Sequence, residues 1–186
     1  MHVLGGTTLE PLLHVAIPFV ALVLLGVKPA KAAPLALLGV VPDLDALLLV
    51  HRSVSHSALI LSLVWVPVLV LAVFYRPEYR KVAVLGLLVL LSHPVLDVMG
   101  SSTPILWPLL ETSIYLKLSL NGKVGEGVSL IPQVEVHRTA TVFKQVSEID
   151  YPIFTGEGLM LTLILITPIV LNMFIERKTL GQSGPP

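Results

Sequence analysis

The chain contains no cysteine. That absence excludes disulfides, thiolate zinc sites and cysteine nucleophiles, so any metal must be held by His, Asp or Glu. There is also no excess of one charge: 12 Lys and Arg are matched by 12 Asp and Glu, a formal net charge of +0. Nucleic-acid binders concentrate Lys and Arg to neutralise phosphates, so no nucleic-acid partner is expected. Internal repeats, coiled-coil heptads and low-complexity tracts are missing too, apart from a short Gly/Pro tail.

What is present is apolar. Of 186 residues 54% are hydrophobic, and the mean hydropathy of +0.88 lies outside the soluble range. Apolar runs extend over Leu12 to Val27, Ala32 to Val50, Ser57 to Tyr75, Val82 to Met99 and Leu159 to Ile175. Each is close to the roughly 20 residues that span a bilayer. The expectation is an all-α integral membrane protein of about five transmembrane helices with a small extracytoplasmic segment. Residues 1–100 would form a four-helix membrane core, 101–157 the extracytoplasmic segment, and 158–186 the fifth helix and tail. A signal peptide carries its basic residues before the apolar stretch, whereas Lys28 and Lys31 follow the first run, so that run is read as retained.

If all five runs cross, one side of the membrane collects seven basic residues (Lys28, Lys31, Arg76, Arg80, Lys81, Arg177, Lys178) against Glu78 and Glu176. The positive-inside rule then sets this side in the cytoplasm, with the amino terminus outside a multi-pass protein of the cell membrane. The long connection from Ser101 to Glu157 falls outside and should fold. Within it Ile114, Leu116, Leu118 and Leu120 alternate with Tyr115, Lys117 and Ser119, and Asn121-Gly122 follows, the signal for a strand entering a tight hairpin. Val134 and Val136 would supply the partner strand; the competing reading is an irregular lid.

In this topology His2, His14, His51, His56, His93 and His137 all lie on or near the outer face, with Asp43, Asp45 and Asp97. Ionisable side chains in a spanning segment are costly unless they face a cavity or find a partner, so these are candidate functional residues. At a rise of about 1.5 Å per residue, Asp43 and Asp45 lie roughly 8 to 10 Å below the outer end of the second run, and His93 and Asp97 roughly 4 to 10 Å below that of the fourth. The spacing of His93 and Asp97 puts both on one helix face within reach of one ion, or of each other in a simple hydrogen bond. Asp43 and Asp45 would point apart on an unbroken helix. Pro42 suggests a broken backbone that lets both face one cavity, or one of them caps the following turn. A shared cation explains two buried carboxylates and a buried imidazole more cheaply than separate neutralisations. The donor set suits Zn²⁺ first and Mn²⁺ second. The candidate metal ligands are His14, Asp43, Asp45, His56, His93 and Asp97; the candidate catalytic residues are Asp43, Asp45 and Arg52; His51 and Ser57 are candidates for the surrounding shell. His2 and His137 are read as solvated.

The ordered series His14, Pro42-Asp43-Leu44-Asp45, His51-Arg52, His56-Ser57, His93 to Asp97, Gly100 and Trp107-Pro108 resembles the YdjM-like membrane-bound metal-dependent hydrolases over roughly residues 10 to 108. Ser55 stands where that family usually has Thr, and the segment after Trp107-Pro108 is longer. The family is distantly similar to zinc-dependent phospholipase C and fungal single-strand nucleases, helical proteins with clustered zinc ions. The resemblance implies that one of Asp43 and Asp45, with His56, His93 and Asp97, holds a first ion, and that His14 and a bridging Asp97 hold a second.

Together these readings predict a phosphoester hydrolase acting on lipid head groups. The spare aspartate of the Asp43/Asp45 pair would be the base, and Arg52 would stabilise phosphoryl charge. The rival is a metal-binding or ion-transport protein, which would need polar groups continuing to the cytoplasmic face; the inner halves of the runs are nearly free of them. A partner-binding protein working through residues 101–157 would leave the clustered Asp and His unexplained.

Overall fold

Proline and glycine set where the helices begin and end. The computed structural model describes residues 10–50, 52–125, 127–143, 145–148 and 152–182. Helix α1, Pro11–Leu24, opens with proline in its first turn, where a missing N–H costs nothing. It closes at Gly26, whose φ of +80° is the left-handed conformation glycine adopts freely. There the Val27 N–H reaches the Leu22 carbonyl at 3.0 Å and the Gly26 N–H reaches that of Val23 at 2.9 Å, the paired bonds of a Schellman cap. Helix α2, Pro29–Ala36, again starts on proline and runs back alongside α1, with Leu22, Ala32, Ala36, Leu85 and Val89 buried together between them and α4.

The chain then tightens into a 3₁₀ turn over Leu37–Val40 and, after Val41, a second over Pro42–Leu48. A short turn, Val54–His56, leads to α3, Ala58–Val70, whose N-cap Ser57 accepts from the Ile60 N–H; a π turn extends it to Tyr75. Helix α4 is Arg80–Gly100 and α5 is Gly156–Gln182. Glu10, buried just before α1, accepts from the Thr155 backbone N–H at 2.7 Å and from the Thr155 hydroxyl. A carboxylate suits the positive end of a helix, and this one ties the starts of α1 and α5 together.

Three helical stretches are long and apolar enough to cross a membrane, Ala58–Tyr75, Pro77–Gly100 and Gly156–Ile175. In the first and third only 11% of the apolar window is buried within the molecule, the pattern of helices that face lipid. The first two apolar runs do not make comparable spans. At about 1.5 Å per residue the 14 residues of α1 reach about 21 Å, short of the roughly 30 Å hydrocarbon layer. The second run is broken by the 3₁₀ turns around Gly39 and Pro42.

The connection between α4 and α5 holds two antiparallel strands, β1 (Thr112–Val124) and β2 (Val128–Ala140). The turn lies beyond Val124, not at Asn121-Gly122, which pair with Ile131 and Leu130 inside the ladder. The expectation of an all-α protein with about five spans is therefore corrected. The described chain is mixed α/β, with a two-stranded antiparallel sheet and three candidate spans. Apolar content alone does not show that α1 and α2 turn back after four turns or fewer, because the turn is set by single residues, Gly26 and Pro29.

Candidate metal centre

The site forms where the start of α1, the 3₁₀ turns after α2, the turn before α3 and the last part of α4 meet. His14, His56, His93 and Asp97 are at most 3% exposed, and Asp45 is 7% exposed. His56 Nε2 lies 3.4 Å from both Asp43 Oδ1 and Asp97 Oδ2, and His93 Nε2 lies 3.4 and 3.5 Å from the same two oxygens. These four donor atoms on three elements thus lie close together, and those of His56, His93 and Asp97 are all within 4.8 Å of one another. Zinc bonds of about 2.0–2.1 Å at a tetrahedral angle place neighbouring ligand atoms about 3.3–3.4 Å apart, which is the spacing of these imidazole–carboxylate pairs. His93 Nε2 is buried and makes no hydrogen bond within the described chain, as expected of an atom reserved for a ligand.

The rings are held from behind. Only a protonated nitrogen can bond a carbonyl, so the 2.6 Å contact of His93 Nδ1 with the Gly39 oxygen fixes the proton there and directs the Nε2 lone pair inward. His56 Nδ1 is likewise 3.3 Å from Asp45 Oδ2 and 3.1 Å from Ser55 Oγ. Asp45 Oδ2 also accepts from the Ser53 N–H and the Ser55 hydroxyl, each at 2.8 Å. The 3₁₀ backbone after Pro42 therefore brings both aspartates to one imidazole, Asp43 at Nε2 and Asp45 at Nδ1.

His14 Nε2 sits 3.2 Å from Asp97 Oδ1, the oxygen turned away from His56 and His93. Its ring lies 4.0 Å from that of His93, centroid to centroid. His14, Asp43 and His93 form a second group of donor atoms, all within 4.8 Å of one another, beside the group of His56, His93 and Asp97. Arg52 stands at the rim with its side chain 18% exposed and Nε 3.9 Å from Asp97 Oδ2. Its φ of 57° is uncommon for a residue with a side chain, and Leu49 nearby has the same conformation at 56°.

For the groups outside the three spans, burial opposes the charged forms, but hydrogen bonding outweighs it. Asp43 is held below the ordinary carboxylate range by His56 and His93, and Asp45 by His56 and the Ser53 N–H. His56 is raised above its ordinary value by Asp43 and Asp45. The two carboxylates thus favour a proton on His56, and a cation bound there would compete with it.

Of the remaining expected residues, Ser57 donates to the Trp107 carbonyl and caps α3. His137 lies on β2, 3.2 Å from Glu135. His2 and His51 lie outside the described residues. Sequence reasoning did not single out Gly39 or Ser53, and noted Ser55 only as standing where the family has Thr. Ser53 gave no signal beyond its place between Arg52 and His56. A lone glycine in an apolar run is a mark of close backbone approach, and a Cβ on Gly39 would lie 2.0 Å from the His14 carbonyl oxygen.

Buried His and Asp groups able to bind a metal are thus gathered at one end of a bundle of apolar helices. No curated protein and no solved structure matches the chain. The model of the family described as YdjM inner membrane protein matches residues 9–174, a stretch that runs from before α1 into α5 and includes every residue of the donor cluster. With three apolar helices able to cross a bilayer and a match over most of its length, this chain is a membrane protein and belongs to the YdjM inner membrane protein family.

Proposed function

We propose that the chain is a metal-dependent hydrolase of phosphoester bonds, acting on lipid head groups or other membrane-proximal phosphoesters. The observation that carries this reading is the convergence of His56 Nε2, His93 Nε2, Asp43 Oδ1 and Asp97 Oδ2 at 3.4–3.5 Å edges, with both rings fixed from behind. Those four residues would hold the ion, Zn²⁺ first and Mn²⁺ second. His14 would take part in a second ion through the far oxygen of Asp97. A divalent ion bound there polarises a phosphoryl oxygen and acidifies water near neutral pH.

The chain's own residues divide the remaining work. Asp45 orients His56 through Oδ2, and its Oδ1, which makes no hydrogen bond among the described residues, is the carboxylate oxygen left to accept a proton. Arg52, at the rim beside Asp97, meets the negative charge that develops on the phosphoryl group. Helices α1, α3 and α5 start at the site-bearing end, and α2 and α4 finish near it. The basic residues of the α1–α2 and α3–α4 segments belong to the other, which supports a site facing outward and a carboxyl terminus in the cytoplasm. An impermeant thiol reagent added outside intact cells should leave Arg80→Cys unlabelled; labelling there reverses the orientation.

The test is to incubate metal-loaded protein in liposomes with a panel of phospholipids and soluble phosphoesters, beside Asp97→Ala. Release of phosphate or phosphorylated head group by the wild type alone supports the reading. Equal background from both, with metal bound to the wild type, replaces it with metal binding or transport.

A further inference from the structure

The hairpin sorts its side chains by strand register. Residues opposite one another across an antiparallel pair share a face, and successive residues alternate. Leu116, Leu118 and Leu120 thus stand on one face with Val136, Val134 and Pro132, and Val124 with Val128 carries the same face to the tip. The opposite face is polar apart from Ile131, and its polar groups pair with one another. Lys117 pairs with Glu135 at 3.8 Å, Asn121 donates to Gln133 at 2.8 Å, and Tyr115 stacks on His137.

The apolar face has no cover within the described chain: Leu118 is 56% exposed, Leu120 64% and Val134 66%. Two strands alone are marginal in water, and a contiguous apolar face of this kind marks an interaction surface. Its position says what covers it. The membrane-spanning α4 ends at Gly100, and Thr103 already bonds Ile114 of β1 in both directions at 2.9 Å. Three extended residues reach at most about 11 Å, so the hairpin is rooted at head-group level. The exposed apolar surface continues through Leu109 and Leu110 before β1, and through Ile153 and Phe154 just before α5. Exposed apolar residues thus lie along the chain between the hairpin and the spans that flank it, α4 before and α5 after.

We propose that the hairpin lies along the bilayer surface at the site-bearing end, its apolar face set among lipid acyl chains and its polar face toward water. This placement does not depend on the reaction the site performs. The wild-type chain has no cysteine, so a single introduced one carries a single label. Leu118→Cys and Val134→Cys report the apolar face, and Ser119→Cys and Gln133→Cys the polar one, each labelled with an environment-sensitive fluorophore in phosphatidylcholine vesicles. The first pair should emit to the blue and be quenched several-fold more by nitroxide-labelled lipid than by aqueous iodide; the second pair should show the reverse. Iodide reaching both faces equally would overturn the proposal by standing the hairpin in water. Shielding of the apolar face from both quenchers would overturn it in favour of a protein cover such as a second copy. An unfolding temperature equal to wild type identifies variants that have folded, and the two positions on each face repeat the measurement independently.

Discussion

Gly39→Ala tests whether the backbone of the turn after α2 is what aims the metal-binding rings. An added Cβ would lie 2.0 Å from the His14 carbonyl oxygen and 3.1 Å from its carbon. That is more than about 1 Å inside ordinary contact, and both atoms are backbone, with no flexible end to give way. Relief requires α1 and the turn to move apart. The movement carries His14 off Asp97 and the Gly39 carbonyl off His93 Nδ1, which it now meets at 2.6 Å. Overpacking of this kind costs about 1–3 kcal/mol of stability. Losing the partner that orients a ligating histidine costs about 10–100-fold in metal affinity, or about 1.4–2.8 kcal/mol. Gly86→Ala is the control, since its Cβ would meet Trp65 Cζ2 at 2.7 Å in the α3–α4 contact, among no donor residues. Thermal unfolding in detergent and zinc titration should show both variants destabilised and only Gly39→Ala weakened in zinc binding. Equal zinc affinity in Gly39→Ala and wild type would refute the link between this turn and the site.

Asp97→Ala and His93→Ala should each lose bound metal by elemental analysis while His137→Ala keeps it, because His137 is paired with Glu135 on the hairpin; retention in an Asp43→Ala, His93→Ala, Asp97→Ala triple variant would remove the site. Ser55→Ala deletes the hydroxyl shared by Asp45 and His56, worth about 1 kcal/mol, and should lower zinc affinity several-fold, whereas Ser55→Thr should restore it. The raised His56 stabilises the metal-free fold fully below its ordinary value, and that contribution is lost as pH rises through the raised one. The lowered Asp43 and Asp45 stabilise it above the ordinary carboxylate range and lose their contribution as pH falls through their lowered values. Unfolding temperatures in chelator should therefore decline on the alkaline side, and the decline should be absent with zinc bound; a flat chelated profile contradicts the proton-filled site.

The long spans were legible in the sequence because a lipid-facing helix is apolar all round, and α3, α4 and α5 coincide with three of the apolar runs. The strands were legible from the alternation at Ile114 to Leu120, since a period of two survives even where neither face is buried. Their turn was not, because Asn121-Gly122 fits a ladder position as well as a bend when the following residues, Gly125 and Gly127, bend more easily still. The fate of the first two runs was hidden for a different reason. Composition measures what a segment can dissolve in, whereas its length as a helix is decided by where the backbone caps itself.

The same distinction explains how the site is built. His93 and Asp97 could be read as a pair from helical spacing alone, because four residues on an α-helix always meet. Asp43 and Asp45 could not be assigned, because two residues apart they converge only on a backbone tighter than an α-helix, and the sequence shows Pro42 but not the 3₁₀ winding that follows. The short α1–α2 hairpin supplies what a pair of full spans would not. By turning back at Gly26 it returns the chain to the level of His14 with a glycine at the point of contact, so that a main-chain carbonyl stands behind His93. In hydrocarbon an irregular backbone is tolerated only where protein or a wet cavity satisfies it. Here the carbonyl of Gly39, freed by breaking the second run, accepts from His93, and the amide of Ser53, in the loop after that run, donates to Asp45, so both support the buried donor cluster.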